Sequence, residues 1–288
     1  MTSAVKKWPV FILGTQRSGT TLLTRALSAH PKIFIQNELE LPNVFDGKTA
    51  PADIIDNIKK EVTDEHKIDI EQYITDDSCI WGLKDPQLTE HIKVLKNFLP
   101  HSKFIIIVRD ARGVTNSYME NKWGLGTNAY TGALRWNHEV NQQLAFMETA
   151  PDNFLLIRYE DMIADLEAIM HKVCTHLEIS FDEQMMSYNN SASYYTINRE
   201  NIHTFKKPDP KLAEKWMKKL SKHQINVVEH ITHPLLTRLN YSLIGTKISI
   251  SFLEKLYYTI HQAIIGEIQI QYRWRKFRFK EKLKMRNK

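Results

Sequence analysis

The stretch Pro9-Val10-Phe11-Ile12-Leu13-Gly14-Thr15-Gln16-Arg17-Ser18-Gly19-Thr20-Thr21-Leu22-Leu23-Thr24-Arg25-Ala26-Leu27 decides the fold class. Five residues of strand length and apolar character run into two glycines five apart, and good helix formers follow. The reading is a buried strand, an anion-cradling loop and a helix. Glycines let the backbone close around an anion, and the first N–H groups of the helix point at it with the positive end of the helix dipole.

The glycine spacing is that of the nucleoside-triphosphate phosphate loop, which continues with Lys and then a magnesium-holding Ser or Thr. This chain has Thr20 and Thr21 there. Without a Lys to reach β- and γ-phosphates, the loop suits a nucleotide with a single 5′-phosphate group, and Arg17 supplies the positive charge. A second element lies about ninety residues on: Phe104-Ile105-Ile106-Ile107-Val108-Arg109-Asp110-Ala111-Arg112-Gly113-Val114-Thr115-Asn116-Ser117. It is again an apolar β-rich run that feeds a helix.

Together the two elements resemble the sulfotransferases that use 3′-phosphoadenosine 5′-phosphosulfate (PAPS) as sulfuryl donor, closest to the tyrosylprotein and carbohydrate branch. The resemblance covers about residues 8 to 220. It implies a P-loop-like, three-layer α/β fold with a mostly parallel sheet flanked by helices. It also implies that Arg17, Ser18, Gly19, Thr20 and Thr21 hold the 5′-phosphosulfate, with Arg17 also acting in catalysis, and that Arg109 and Ser117 hold the 3′-phosphate. Asn37-Glu38-Leu39-Glu40-Leu41-Pro42 places Glu38 twenty-one residues after Arg17, the spacing of the catalytic Glu in the tyrosylprotein branch. Glu40 stands where that branch carries an Arg and is the second candidate base. Trp81-Gly82-Leu83-Lys84-Asp85-Pro86 matches a Lys-Asp-Pro whose Lys faces the donor's bridging oxygen, which gives Lys84 that role. Asp85 and Pro86 read as a cap and a first helical residue. Tyr159, in Arg158-Tyr159-Glu160-Asp161, matches a Tyr near the adenine, or else packs a strand end. Lys215, in Lys215-Trp216, matches a residue near the 3′-phosphate. The implied reaction is sulfuryl transfer from PAPS to a hydroxyl on a carbohydrate, lipid, small molecule or peptide tyrosine, with no metal. The acceptor depends on variable segments such as Asp46 to Asp77 and Trp123 to Ala129.

Working outward, strands are expected at 9–13, 33–36, 79–83, 103–108 and 154–158. Helices are expected at 19–29, 52–61, 87–98, 111–121, 130–148 and 164–177. Strands alternating with helices argue a mostly parallel sheet. The spacing of Leu253, Leu256, Tyr257, Ile260, Ile264 and Ile268 predicts an amphipathic helix over 248–272. The expected organisation is a PAPS-binding domain over 1–242 and a basic amphipathic tail over 243–288.

The chain has 288 residues, 42% hydrophobic and 25% charged, enough to bury a large core. From Arg273 onward nine Lys/Arg face the single acid Glu281, so the tail carries +8 and the rest of the chain about −2 within a net +6. The body is therefore not basic, and no stacking module or zinc-finger spacing points to nucleic acid. The tail reads two ways: a helix packed on the domain with a solvated basic end, or a helix that meets an anionic membrane or a partner. Cys79 and Cys174 are isolated and read as buried small apolar residues of a protein in a reducing cytoplasm. Lys6 and Lys7 precede only a strand-length apolar run, which fits neither a signal peptide nor an anchor. Two other classes stay in view. A P-loop kinase or NTPase is disfavoured by the missing Lys, and a non-catalytic, membrane-docked nucleotide-binding protein would bind without transfer. The oligomeric state is left open.

Overall fold

Five short strands, all parallel, carry the computed structural model, which describes residues 8–45, 50–66, 70, 79–188 and 209–286. They are β1 (Val10–Leu13), β2 (Ile33–Asn37), β3 (Ile80–Lys84), β4 (Phe104–Val108) and β5 (Phe154–Arg158). Their order across the sheet is β2-β3-β1-β4-β5. Parallel strands covered on both faces read as unbroken apolar runs rather than alternating ones, and every residue of β1, β3 and β4 is buried. The register sets Phe11 beside Phe104, and Phe104 beside Phe154. The two pairs stack with ring centroids 5.5 and 4.7 Å apart. Phe98 and Phe146 meet the same stack edge-on and extend the aromatic core.

The chain forms two compact units, residues 1–109 with 140–210 and residues 110–139 with 211–288. The whole sheet belongs to the first unit, with the helices α1 (Thr20–Ser28), α2 (Pro51–His66) and, later in the chain, Leu166–His176. Helix α1 buries its Leu22, Leu23, Ala26 and Leu27, and also Arg25, whose Nη2 donates to the carbonyl of Tyr188 at 3.0 Å.

The second unit contains α3 (Ala111–Asn121), most of α4 (Ala129–Met147), and two helices over Lys222–Arg238 and Phe252–Arg286. Its centre is a buried charge cluster. Asp110 caps α3 by accepting from Arg112 N and grips the Arg112 guanidinium at 2.9 and 2.5 Å. Arg112 Nη1 also donates to Glu229 Oε1 at 2.6 Å, and the guanidinium lies 4.1 Å from the centre of the Trp216 ring. Glu229 in turn accepts from the N–H groups of Ile244 and Gly245. Buried charges require such saturation, because each unpaired one costs several kcal/mol. The carboxylates outweigh the desolvation of Arg112 and hold its pKa above the ordinary value.

Some elements differ from expectation. The helix expected over 87–98 is a 3-10 segment over Pro86–His91, one α turn over Ile92–Leu95 and a 3-10 turn over Lys96–Phe98. Leu88, Leu95 and Phe98 are all fully buried there, and Thr89 accepts from Gln143 Nε2 at 2.8 Å; these anchors override helix propensity. The helix expected over 164–177 starts at Leu166, because the Asp165 side chain accepts from Ala168 N and caps a new helix. The last helix starts at Phe252 and runs on to Arg286 rather than ending near 272. Cys174 is buried against Met185, whereas Cys79 is only partly buried.

Candidate active site

In a parallel sheet, ligands gather beyond the carboxyl ends of the strands, where neighbouring connections run in opposite directions. Here β1 leads by way of α1 toward β2, and β4 lies on its other side next to β5, so the switch falls between β1 and β4. The first-unit residues matched to the sulfotransferase motifs stand along that edge. The loop 14–19 follows β1, Glu38 follows β2, Lys84 ends β3, Arg109 follows β4 and Tyr159 follows β5.

The loop is shaped for an anion. Gly19 holds φ 101°, and a Cβ there would run into the Tyr159 ring. A Cβ on Gly14 would come within 2.7 Å of the Ile107 carbonyl. Arg17 has left-handed backbone at φ 72°, which costs about 1–2 kcal/mol for a residue with a side chain. Its carbonyl accepts from Arg109 Nη1 at 3.2 Å, so the loop is tied across the switch point. The Arg109 guanidinium lies 4.5 Å from the centre of the Tyr159 ring. Burial pushes the Tyr159 hydroxyl above its ordinary pKa, partly offset by the nearby Arg109 and Arg17 charges. Thr15 Oγ1 and Ser18 Oγ are buried with no hydrogen-bond partner among the described residues. Helix α1 begins at Thr20 with no side-chain cap. Unsatisfied hydroxyls, an uncapped helix start and two arginines have the chemistry suited to phosphate or sulfate oxygens.

Beside the loop, β2 and β3 are registered with Asn37 opposite Lys84. The next residue turns over: Glu38 has φ 56°, and its N–H donates to the Lys84 carbonyl at 2.7 Å. Gln36 Nε2 steadies the turn by donating to the Glu38 carbonyl at 3.3 Å. The two side chains then meet, Lys84 Nζ to Glu38 Oε1 at 2.7 Å. Lys84 is fully buried, while 55% of the Glu38 side chain is exposed, so the carboxylate faces outward over a buried ammonium. Asp85 caps the following turn by accepting from Gln87 N at 2.8 Å. Burial, reinforced by the Glu38 charge and opposed by that bond and by Lys84, pushes its carboxyl up to about 6. Glu40 is exposed and precedes a single helical turn over Leu41–Val44.

The remaining motif residues lie in the second unit. Ser117 sits on α3 and accepts from Asn121 Nδ2 at 3.2 Å, while exposed Lys215 pairs with Glu120 at 2.6 Å. Of the segments expected to shape the acceptor site, residues 46–49, 67–69 and 71–77 lie outside the described residues. Sequence reasoning missed Thr15 as a buried, unpartnered hydroxyl of the loop and Asp85 as a carboxyl shifted upward beside the Glu38–Lys84 pair. Thr15 was legible as a hydroxyl inside the loop, but the Asp85 shift arises only from burial.

Comparisons with known proteins show the family and the fold. Protein-tyrosine sulfotransferase 2 of Gallus gallus is 25% identical over 256 residues, which cover 81% of this chain and 69% of that protein. The sulfotransferase domain from the curacin biosynthetic pathway superposes with a TM-score of 0.61 at 21% identity, over 82% of this chain and 99% of that one. A mouse sulfotransferase complexed with PAP superposes with a TM-score of 0.52 at 14% identity, over 82% of this chain and 86% of that one. The profile of the sulfotransferase family matches residues 9–183, the span from β1 to just beyond the fifth strand and its helix, and this chain is therefore an enzyme of the sulfotransferase family.

Proposed function

We propose that the enzyme transfers the sulfuryl group of PAPS to a hydroxyl acceptor and releases 3′-phosphoadenosine 5′-phosphate (PAP). The observation that carries this reading is the Glu38–Lys84 pair, 2.7 Å apart, at the same sheet edge as the anion loop. PAPS supplies an activated sulfur whose bond to a phosphate oxygen breaks as the acceptor oxygen bonds to it. Thr15, Ser18 and Arg17 hold the phosphosulfate oxygens together with the start of α1, and Arg109 takes the 3′-phosphate. Ser117 and Lys215 are assigned to the nucleotide from their motifs alone, and Tyr159 is the strand-end ring that backs Gly19 and Arg109.

Lys84 engages Oε1 of Glu38, which leaves Oε2 to take the acceptor's proton. An ammonium has three donors, so Lys84 keeps others for the phosphate oxygen on which the electron pair leaves. A base and a charge stabiliser held in one pair keep their mutual geometry fixed before either reactant arrives. The acceptor class supported by the named tyrosine sulfotransferase relatives is a phenolic hydroxyl on a peptide; carbohydrate, lipid and small-molecule hydroxyls are tested alongside it. Calorimetry with PAP and AMP tests the donor. PAP should bind at least about tenfold tighter, a difference of about 1.4 kcal/mol, and Arg109→Ala should erase that preference. Equal affinities in the unmodified enzyme refute the assignment.

A further inference from the structure

The last helix of the second unit, Phe252–Arg286, has two unlike faces. One lies on residues 123–131 of the same unit. Thr127 N donates to Gln262 Oε1 at 2.8 Å, Gln262 Nε2 donates to the Gly124 carbonyl at 2.6 Å, and Gly124 N donates to Gln269 Oε1 at 3.0 Å. Tyr258 stacks on Tyr130, and the Arg273 guanidinium lies 3.7 Å from the centre of a Trp123 ring. Tyr258, Gln262, Gln269 and Arg273 recur at helical spacing, so they define one side.

About half a turn away runs a second stripe: Leu253, Leu256, Ile260, Ile264, Ile268 and Tyr272, in steps of three and four, with Tyr257 beside Leu256. These residues are 44–75% exposed. The stripe is about 30 Å long by helical rise and is interrupted on its far half by exposed Glu267 and Gln271, which hydrogen-bond to each other at 2.7 Å; so many exposed large apolar side chains on one helix are uncommon on a surface that meets only water. It runs straight into the basic end, where Arg275, Lys276 and Arg278 are exposed and Glu281 is the only acid up to the last residue. Tyr272 and Trp274, both more than half exposed, stand at the junction of the apolar and basic parts.

We propose that this helix lies flat on an anionic lipid bilayer, with the apolar residues from Leu253 to Ile268 in the acyl boundary, Tyr272 and Trp274 at headgroup level and the basic end on the phosphates. Charge complementarity selects lipid over a second copy of the chain. Parallel copies would bring two strongly basic ends together. Antiparallel copies would set each basic end beside residues 252–256, where Glu254 is the only acid and Lys255 cancels it. No helix among the described residues is long and apolar enough to cross a membrane. The proposal is independent of the donor chemistry, since it uses none of the residues at the sheet edge.

Vesicle flotation with the full chain tests it, using phosphatidylcholine alone and phosphatidylcholine mixed with phosphatidylserine. The chain should float with the anionic vesicles, at least about tenfold less with the neutral ones, and be released by high salt. Ile260→Glu with Ile264→Glu places two charges on exposed positions, and it should cut flotation about tenfold or more while circular dichroism and the melting temperature stay unchanged. Flotation that ignores lipid charge, absence of flotation, or a dimer in light scattering that the same double substitution dissolves without any lipid binding would each overturn the proposal.

Discussion

Burying an ammonium group costs several kcal/mol unless it is paired, and Lys84 is fully buried with Glu38 as its partner. That pairing lets binding, chemistry and stability be separated at one residue. Glu38→Gln keeps an oxygen acceptor for Lys84 but removes the base. Turnover should fall by about 10² or more while PAP affinity stays within a few fold. Glu38→Ala strands the ammonium, so urea unfolding should show an added loss of about 1–3 kcal/mol. Near-normal turnover in Glu38→Gln would move the base to Glu40. Next to the pair, Asp85 gives a pH signature. Its carboxyl rises from an ordinary 3.8 to about 6 in the folded chain, so between those values the folded state holds the proton more firmly than the unfolded one. Its contribution to stability is therefore complete below about pH 4 and is lost as pH rises through about 6, by on the order of 3 kcal/mol at most. Asp85→Asn should remove that part of the stability-versus-pH curve. Superimposable slopes for the two proteins across pH 4 to 6 would show that Asp85 does not titrate there.

At the scale of elements, the loop between β1 and α1 works only because Gly19 has no side chain. Gly19→Ala adds a left-handed backbone penalty of about 1–2 kcal/mol and drives a methyl into the Tyr159 ring. Both the melting temperature and PAP affinity should drop, the latter by about tenfold or more; unchanged affinity would mean that the loop does not hold the nucleotide. In the second unit, Glu229 ties Arg112 on α3 to the N–H groups of residues 244 and 245. Glu229→Ala should destabilise by about 3 kcal/mol or more in denaturant unfolding, because it leaves a buried guanidinium and two N–H groups short of an acceptor. A chain cut after Ser242 would lose the same N–H groups and the helix packed on 123–131, so point substitutions probe that helix more cleanly than truncation. The sequence showed Asp110 and Arg112 as neighbours of the Arg109 motif. It did not show that they serve a structural cluster, since their partner Glu229 is 117 residues away from Arg112.

For the whole molecule, labelled PAPS incubated with the enzyme and an acceptor extract from its own source should yield a sulfated hydroxyl product that Glu38→Gln makes at least about 10² more slowly. Label retained only on the nucleotide would leave a binding protein. The local text was sufficient for the parallel α/β class and for the glycine loop with Arg17, whereas the candidacy of Glu38, Lys84 and Arg109 rests on the resemblance of their motifs to those of the sulfotransferases. Periodicity, glycine spacing and strand-to-helix transitions are short-range properties written in neighbouring residues. Only the tertiary structure decided that Glu38 and Lys84 form one pair, because the contact needs the register of β2 on β3 across 46 residues of chain. It alone made Asp85 a titrating group, since desolvation depends on what covers a carboxyl and not on its neighbours in sequence. And it alone showed which side of the last helix is packed: amphipathicity names apolar positions but not what covers them, and here Tyr258, Gln262 and Gln269 meet residues 123–131 while Leu253, Tyr257, Ile260 and Ile264 stay exposed.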